Sequence, residues 1–150
     1  MHVWPHGWSS ALLWVDGDLT EFRLSHVFND PVESLIHSLA KLVRGEKDSS
    51  LEWSDEPGAW KIEFTEMNDA KHLLRVTVSE YDRELPMIGN RTPVKTLEFI
   101  VTRKFWIQLT LGQLRKLSES FADPHYRKAR DYQFPHKWLA DLMIAHKANA

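Results

Sequence analysis

Apolar and polar residues alternate along several short stretches of the chain, which is the pattern of half-buried β-strands. The alternation is clearest at Leu19–Leu24, where Phe22 and Leu24 fall on one face and charged residues on the other. Asp16-Gly17 precedes this stretch and is a typical hairpin turn signal. The further predicted strands are Ser10–Val15, Leu51–Ser54, Trp60–Thr65, His72–Ser79 and Val94–Thr102.

A helical period of 3.6 residues replaces the alternation in one long segment. Asp30 can cap this helix, Pro31 suits its first position, and Glu33 can complete a capping box. Gly45 supplies a stop signal. The apolar stripe that predicts a core-facing side consists of Val32, Leu35, Ile36, Leu39, Leu42 and Val43.

The chain returns to helical patterns after Thr102. A helix is predicted from about Lys104 to Ser120, although a capping-box pattern at Thr110 would start it later and leave residues 104–109 extended. Residues 125–132 favour a short basic helical turn. Pro135 opens a last helix whose buried side is expected to be Trp138, Leu139, Leu142 and Met143.

A hairpin at Leu51–Glu66, LEWSDEPGAWKIEFTE, is the most distinctive local pattern. Pro57 suits the second position of a type II turn, and Gly58 would supply the positive φ of its third position. The turn would hold the pair Asp55-Glu56 at its tip. The tryptophans on either side of the turn would lie on adjacent strands.

The elements follow one another in the order ββ-α-ββββ-αα. Short connections and two hairpin turns favour an antiparallel sheet of about five to six strands, packed on one face by amphipathic helices. We therefore predict a single α+β domain over residues 1–150. Glu80–Pro93 is the longest predicted loop, and the first residues are expected to be loose.

Composition adds an unusual number of tryptophans and a complete lack of cysteine. Most of the seven tryptophans are expected in the core or at its edge, because each is a large apolar body. Without cysteine, disulfides and zinc-thiolate sites are excluded. The chain shows no secretory signal and no apolar run of about 18 residues, so a cytoplasmic protein without a membrane span is predicted.

Charge is divided unevenly along the chain. Residues 1–70 carry 13 Asp and Glu against 5 Lys and Arg, whereas residues 71–150 carry 8 against 14. The two halves could neutralise each other within one fold, or leave an acidic face for a basic partner. The basic segment 126–130 is a candidate for nucleic-acid binding, but the slightly acidic chain argues against that role.

Catalytic motifs are missing from the sequence. It contains no G-x-S-x-G, no HExxH and no glycine-rich phosphate loop, and it predicts no metal ligands or cofactor. Asp55 and Glu56, with Glu52 and Glu63 nearby, could in principle form an acid/base pair or a cation site. A solvated turn is the simpler interpretation, since such residues favour turns.

One resemblance accompanies these patterns. The segments DPVESLIHSLAKLVRGE and EWSDEPGAWKIEF, followed by a third alternating strand, resemble a type of small uncharacterised bacterial protein. In that type a capped helix ending in glycine precedes a W-x-[DE]-E-P-G hairpin, and some members are immunity proteins of toxin systems. The resemblance covers about residues 28–80 and implies no catalytic residue.

Two functional hypotheses follow. The first is a non-enzymatic protein-binding domain of the immunity type, which neutralises a basic toxin domain by covering it. Its acidic contact residues would be Asp48, Glu52, Asp55, Glu56, Glu66 and Asp69. The alternative is a small-ligand-binding domain with a pocket between sheet and helices, lined by Trp14, Trp53, Trp60 and Trp106.

Overall fold

A computed structural model describes residues 1–4, 7–68, 70–82, 92–130 and 132–149. These residues form one antiparallel sheet whose strands are neighbours in the same order as in the sequence. The strands are β1 His2–Trp4, β2 Trp8–Val15, β3 Asp18–Ser25, β4 Asp48–Asp55, β5 Gly58–Met67, β6 Ala70–Tyr81 and β7 Lys95–Thr102. The helices are α1 Pro31–Val43, α2 Arg103–Ser120, α3 Pro124–Arg130 and α4 His136–Ala148.

The α+β architecture with an antiparallel sheet is confirmed, but the predicted element count was too low. The described residues hold seven strands, because the N-terminal residues predicted to be loose form β1 against β2. Helix α2 begins at Arg103, where the Thr102 hydroxyl caps it by accepting the Phe105 N–H at 3.2 Å. This cap excludes the later start at Thr110. Most of the predicted Glu80–Pro93 loop lies outside the described residues.

Helix α1 forms for the reasons its sequence indicates. The Asp30 carboxylate accepts the Val32 and Glu33 N–H groups at 2.8 and 3.1 Å. The apolar stripe of the helix faces the sheet, and Val32, Ile36 and Leu39 are fully buried within it. A buried hydrogen bond of 2.8 Å between the Ser38 and Ser49 hydroxyls fixes the helix over β4.

The core lies between the sheet and the helices. Positions that pair directly across strands share a face, so the register places Phe64 beside Val76 and Ile62 beside Val78 on the helix-facing side. All four side chains are buried. The other face of β4–β7 carries mainly charged and hydroxyl side chains, which is the alternation expected of a half-buried sheet.

The turn between β4 and β5 differs from the prediction. The peptide bond between Glu56 and Pro57 is cis, so these two residues are the central pair of a type VI turn. Gly58 does not adopt a positive φ; it pairs with Asp55 as the first residue of β5. A Cβ on Gly58 would lie 2.7 Å from the Tyr81 carbonyl oxygen, so close packing requires the glycine.

The tryptophans also depart from expectation. Trp53 and Trp60 are buried beside Phe22, at ring-centroid distances of 5.5 and 4.9 Å. Trp106 is half-buried. The remaining tryptophans are exposed, including the one predicted to belong to the buried side of the last helix: Trp4, Trp8, Trp14 and Trp138.

Candidate interaction surface

The outward face of β1–β3 carries exposed apolar side chains in two groups, with Ser10 and Arg23 between them. Trp4 pairs directly with Trp8 across β1 and β2, and Trp14 pairs with Leu19 across β2 and β3. Leu12 lies two residues before Trp14 on the same side of β2. These five side chains are here called the aromatic face; Trp14 is 76% exposed and Leu12 65%.

The sequence of β2 explains this face. Its segment WSSALLWV places Ser9, Ala11 and Leu13 toward the helices. Trp8, Leu12 and Trp14 alternate with them and point outward. The larger side chains of the strand are therefore directed to solvent. Several exposed tryptophans on one sheet face of a monomeric protein can mark a binding site.

The acidic turn borders the aromatic face. Ser25, which pairs with Trp8 of that face, donates its hydroxyl hydrogen to the Glu56 carboxylate. The Asp55 carboxylate accepts the Trp60 indole N–H at 3.3 Å. Partial burial raises the pKa of Asp55, and the Trp60 hydrogen bond and the Arg23 charge oppose that rise. Glu56 is thus exposed beside Trp8, at one end of the aromatic face.

The other predicted acidic residues do not form one patch with the turn. Asp48 and Glu52 are exposed on the outward face of β4. Glu66 instead meets Arg103 at 2.8 Å, and both side chains are only 14% exposed. Arg103 also donates to the Leu42 carbonyl oxygen at 3.1 Å, so this pair ties β5 to the helices. Asp69 lies outside the described residues.

The four tryptophans predicted to line the alternative pocket do not lie together either. A cavity of about 120 Å³ lies between sheet and helices, and Trp53 and Trp106 are among its lining residues. Trp53 also donates its indole N–H to the Pro31 carbonyl oxygen at 3.0 Å. Trp60 packs against Phe22 outside this lining, and Trp14 lies on the opposite face of the sheet.

A polar cluster that local sequence patterns do not predict lies at the start of α1. The Tyr132 hydroxyl lies 2.7 and 2.9 Å from the two Asp30 carboxylate oxygens. Burial, reinforced by Asp30, raises the pKa of Tyr132, and the His26 ring packs edge-on against it at 5.0 Å. Asp30 therefore caps α1 and anchors the segment before α4 at once. The two partners are 102 positions apart in the sequence, so no local pattern indicates the contact.

The described part of the chain contains no group of three or more His, Asp or Glu side chains arranged to hold a metal ion. None of its helices is both long and apolar enough to cross a membrane. Comparison with protein-family models, curated proteins and solved structures finds no match.

Proposed function

We propose that the chain is a non-enzymatic protein-binding domain of the immunity type, and that the aromatic face is its main contact surface. The observation that supports this most directly is the pairing of Trp4 with Trp8, and of Trp14 with Leu19, on an exposed sheet face. Tryptophan is enriched among the residues that dominate binding energy at protein interfaces. A rigid sheet presents these rings with little ordering cost on binding.

The size of the face suits a specific interface. A tryptophan can bury about 150–250 Å², and Trp4, Trp8 and Trp14 are 51%, 36% and 76% exposed. The three rings therefore leave about 250–400 Å² for a partner, up to half of the roughly 800 Å² that each side contributes to a standard interface. The two leucines of the face extend this apolar area. The polar turn at Asp55 and Glu56 then provides a rim at one side.

The charges on and beside the aromatic face are acidic in sum. Glu56 lies beside Trp8, and Glu21 and Arg23 lie between the two apolar groups. Asp48 and Glu52 form a second acidic pair on the outward face of β4. Such charges attract a basic surface during encounter, and they affect the association rate more than the final affinity. A basic toxin domain, for example a nuclease, is the partner that the resemblance and this charge distribution favour together.

Affinity capture with matched variants tests the proposal. The wild-type chain, Trp8→Ser/Trp14→Ser and Trp138→Ser would each be used as bait in extract of the source cell, with quantitative mass spectrometry. Trp138 is exposed on α4 and is the matched control. We expect one basic protein retained by the wild type and by Trp138→Ser, and lost with the double variant. Equal capture by all three baits would refute the role of the face.

A small apolar ligand is a second candidate, and the cavity beside Trp53 and Trp106 favours it. Its volume is below the roughly 300–1,000 Å³ of common ligand pockets, so a single-ring compound is the largest ligand expected. Benzene is a suitable probe. Benzene should raise the melting temperature of the wild type and not of Ala11→Leu, whose larger side chain would fill the cavity. An unchanged melting temperature in the wild type would exclude this candidate.

A further inference from the structure

The outer edge of β4 is open along most of its length. The Glu66 N–H of β5 donates to the Lys47 carbonyl oxygen at 2.7 Å, which fixes the direction of the alternating backbone groups. The N–H and C=O groups of Asp48, Ser50 and Glu52 must then point away from β5. The register between β3 and β4 contains only the pair Ser25 and Ser54, so β3 does not cover these groups in the described chain.

A groove runs along this open edge. It lies between β4 and α1, has a volume of about 330 Å³, and is lined on the helix side by Ser34, His37 and Lys41. Asn29 closes one end, because its side-chain amide donates to the Glu52 carbonyl oxygen at 2.8 Å. This hydrogen bond occupies the position that the N–H of a neighbouring strand would take, which confirms the direction of the edge.

We propose that this edge accepts an extended segment of the basic partner as an eighth strand, an inference that rests on the proposed protein-binding function. An open edge pairs through its backbone groups, and alternate side chains then select the segment. The free backbone groups run from Asp48 to the N–H of Glu52, because Asn29 already occupies the Glu52 carbonyl oxygen. At about 3.4 Å per residue, this stretch matches four to five residues of an added strand.

The charges on β4 favour a basic sequence for the added partner segment. Asp48 and Glu52 point to the outward face of the sheet and lie four residues apart. Directly opposed charges of unlike sign stabilise a strand pair, and like charges destabilise it. The segment therefore carries Lys or Arg at two positions four residues apart, with small polar side chains between them that face Ser34 and His37 of the groove.

The same charges argue against a second copy of this chain. Two β4 strands paired antiparallel around Ser50 would place Asp48 opposite Glu52 twice. Both contacts join like charges, and natural edge strands use such charges to prevent self-pairing. A different chain with basic residues is thus the better occupant.

A synthetic peptide can test the edge without the natural partner. The probe acetyl-Val-Lys-Thr-Val-Thr-Lys-Val-amide would be titrated into labelled protein and followed by amide NMR shifts, beside a peptide with Glu in place of both lysines. We expect shifts centred on Asp48–Glu52 with the lysine peptide only. Analytical ultracentrifugation would show the protein as a monomer throughout.

Two variants probe different parts of the contact. Asp48→Lys/Glu52→Lys should weaken binding of the lysine peptide by about tenfold or more, because two cross-strand charge pairs become repulsive. Ser50→Pro removes an edge N–H donor that does not pair with β5, so the variant should fold as the wild type does by circular dichroism. It should bind the lysine peptide more weakly, and unchanged binding would count against strand addition. The Trp8→Ser/Trp14→Ser variant should bind the peptide as the wild type does.

These outcomes separate the edge from the aromatic face. Unchanged binding in the charge-reversal variant, equal binding of the glutamate peptide, or a dimer formed through β4 would overturn the strand-addition proposal. Loss of peptide binding in the tryptophan variant would also overturn it, since the peptide would then occupy the aromatic face. Normal peptide binding together with equal capture by all three baits would refute only the aromatic face.

Discussion

Ser25 and Ser54 face each other as the one register pair recorded between β3 and β4, and both are completely buried. This pair joins the β1–β3 part of the sheet to the β4–β7 part. The two strands are staggered, because Ser25 at the end of β3 pairs with Ser54, one residue before the end of β4. The stagger leaves the edge of β4 free and brings the acidic turn beside the aromatic face.

The two serines at this junction should respond differently to truncation. Ser25 donates to Glu56 and accepts the Val27 N–H at 3.2 Å, whereas the Ser54 hydroxyl is buried without a partner among the described residues. Ser25→Ala should lower the free energy of unfolding by about 1 kcal/mol, and Ser54→Ala should leave it unchanged or raise it slightly. Urea denaturation of both variants measures this. Equal losses would show that the Ser54 hydroxyl has a stabilising partner.

The Tyr132 hydroxyl should contribute measurably to stability through the helix cap. Tyr132→Phe removes its hydrogen bonds to Asp30, and because the acceptor is charged we expect a loss of about 1.5–3 kcal/mol. A double-mutant cycle with Asp30→Ala isolates the contact, since Asp30 also caps α1. An interaction energy near zero in that cycle would contradict the structural role given to the pair.

Much of this architecture could be predicted from local sequence signals. The strands with clear alternation and the α1 helix were located correctly, because Phe22 and Leu24 in β3 and the Asp30 cap depend on neighbouring residues. The start of α2 was ambiguous, and the Thr102 hydroxyl decided it.

Other features depend on non-local contacts and could not be predicted. Strand β2 is apolar on both faces, so its pattern did not reveal that Trp14 would point to solvent. Pro57 occupies the third position of the turn and not the predicted second, because Asp55 and Gly58 are the residues that pair across it. The Ser25–Ser54 junction and the Tyr132–Asp30 contact join distant parts of the chain, and no local pattern marks them.

His26 should make stability depend on pH. Burial lowers its pKa below the usual 6.5, and the nearby Asp30 charge only partly opposes this. The unfolded chain therefore binds a proton at higher pH than the folded chain does, so stability is lost as pH falls through about 6.5 toward the lower folded pKa. Denaturant unfolding between about pH 7.5 and 5 should give a shallower slope for His26→Asn than for the wild type. Identical slopes would exclude His26 as a cause.

Tryptophans on the two faces of the sheet should differ in their effect on folding. Trp14 is 76% exposed and Trp53 is 4% exposed. Trp14→Ala should change the free energy of unfolding by at most about 0.5 kcal/mol, whereas Trp53→Ala should cost about 3–5 kcal/mol through the cavity it creates. Chemical denaturation followed by far-ultraviolet circular dichroism compares them. A large loss for Trp14→Ala would mean that this ring stabilises the fold and is not free for a partner.

Substituting alanine for Gly58 and for Gly112 should change the stability of the protein in opposite directions. A Cβ at Gly58 would meet the Tyr81 carbonyl oxygen at 2.7 Å, and backbone cannot move aside cheaply, so Gly58→Ala should destabilise the hairpin by about 1–3 kcal/mol. Gly112 lies inside α2 with no atom within 4 Å of such a Cβ, so Gly112→Ala should stabilise the helix by about 0.5–1 kcal/mol. Melting temperatures of the two variants give the signs directly. A tolerated Gly58→Ala would mean that β5 and β6 separate more easily than the close approach of Tyr81 implies.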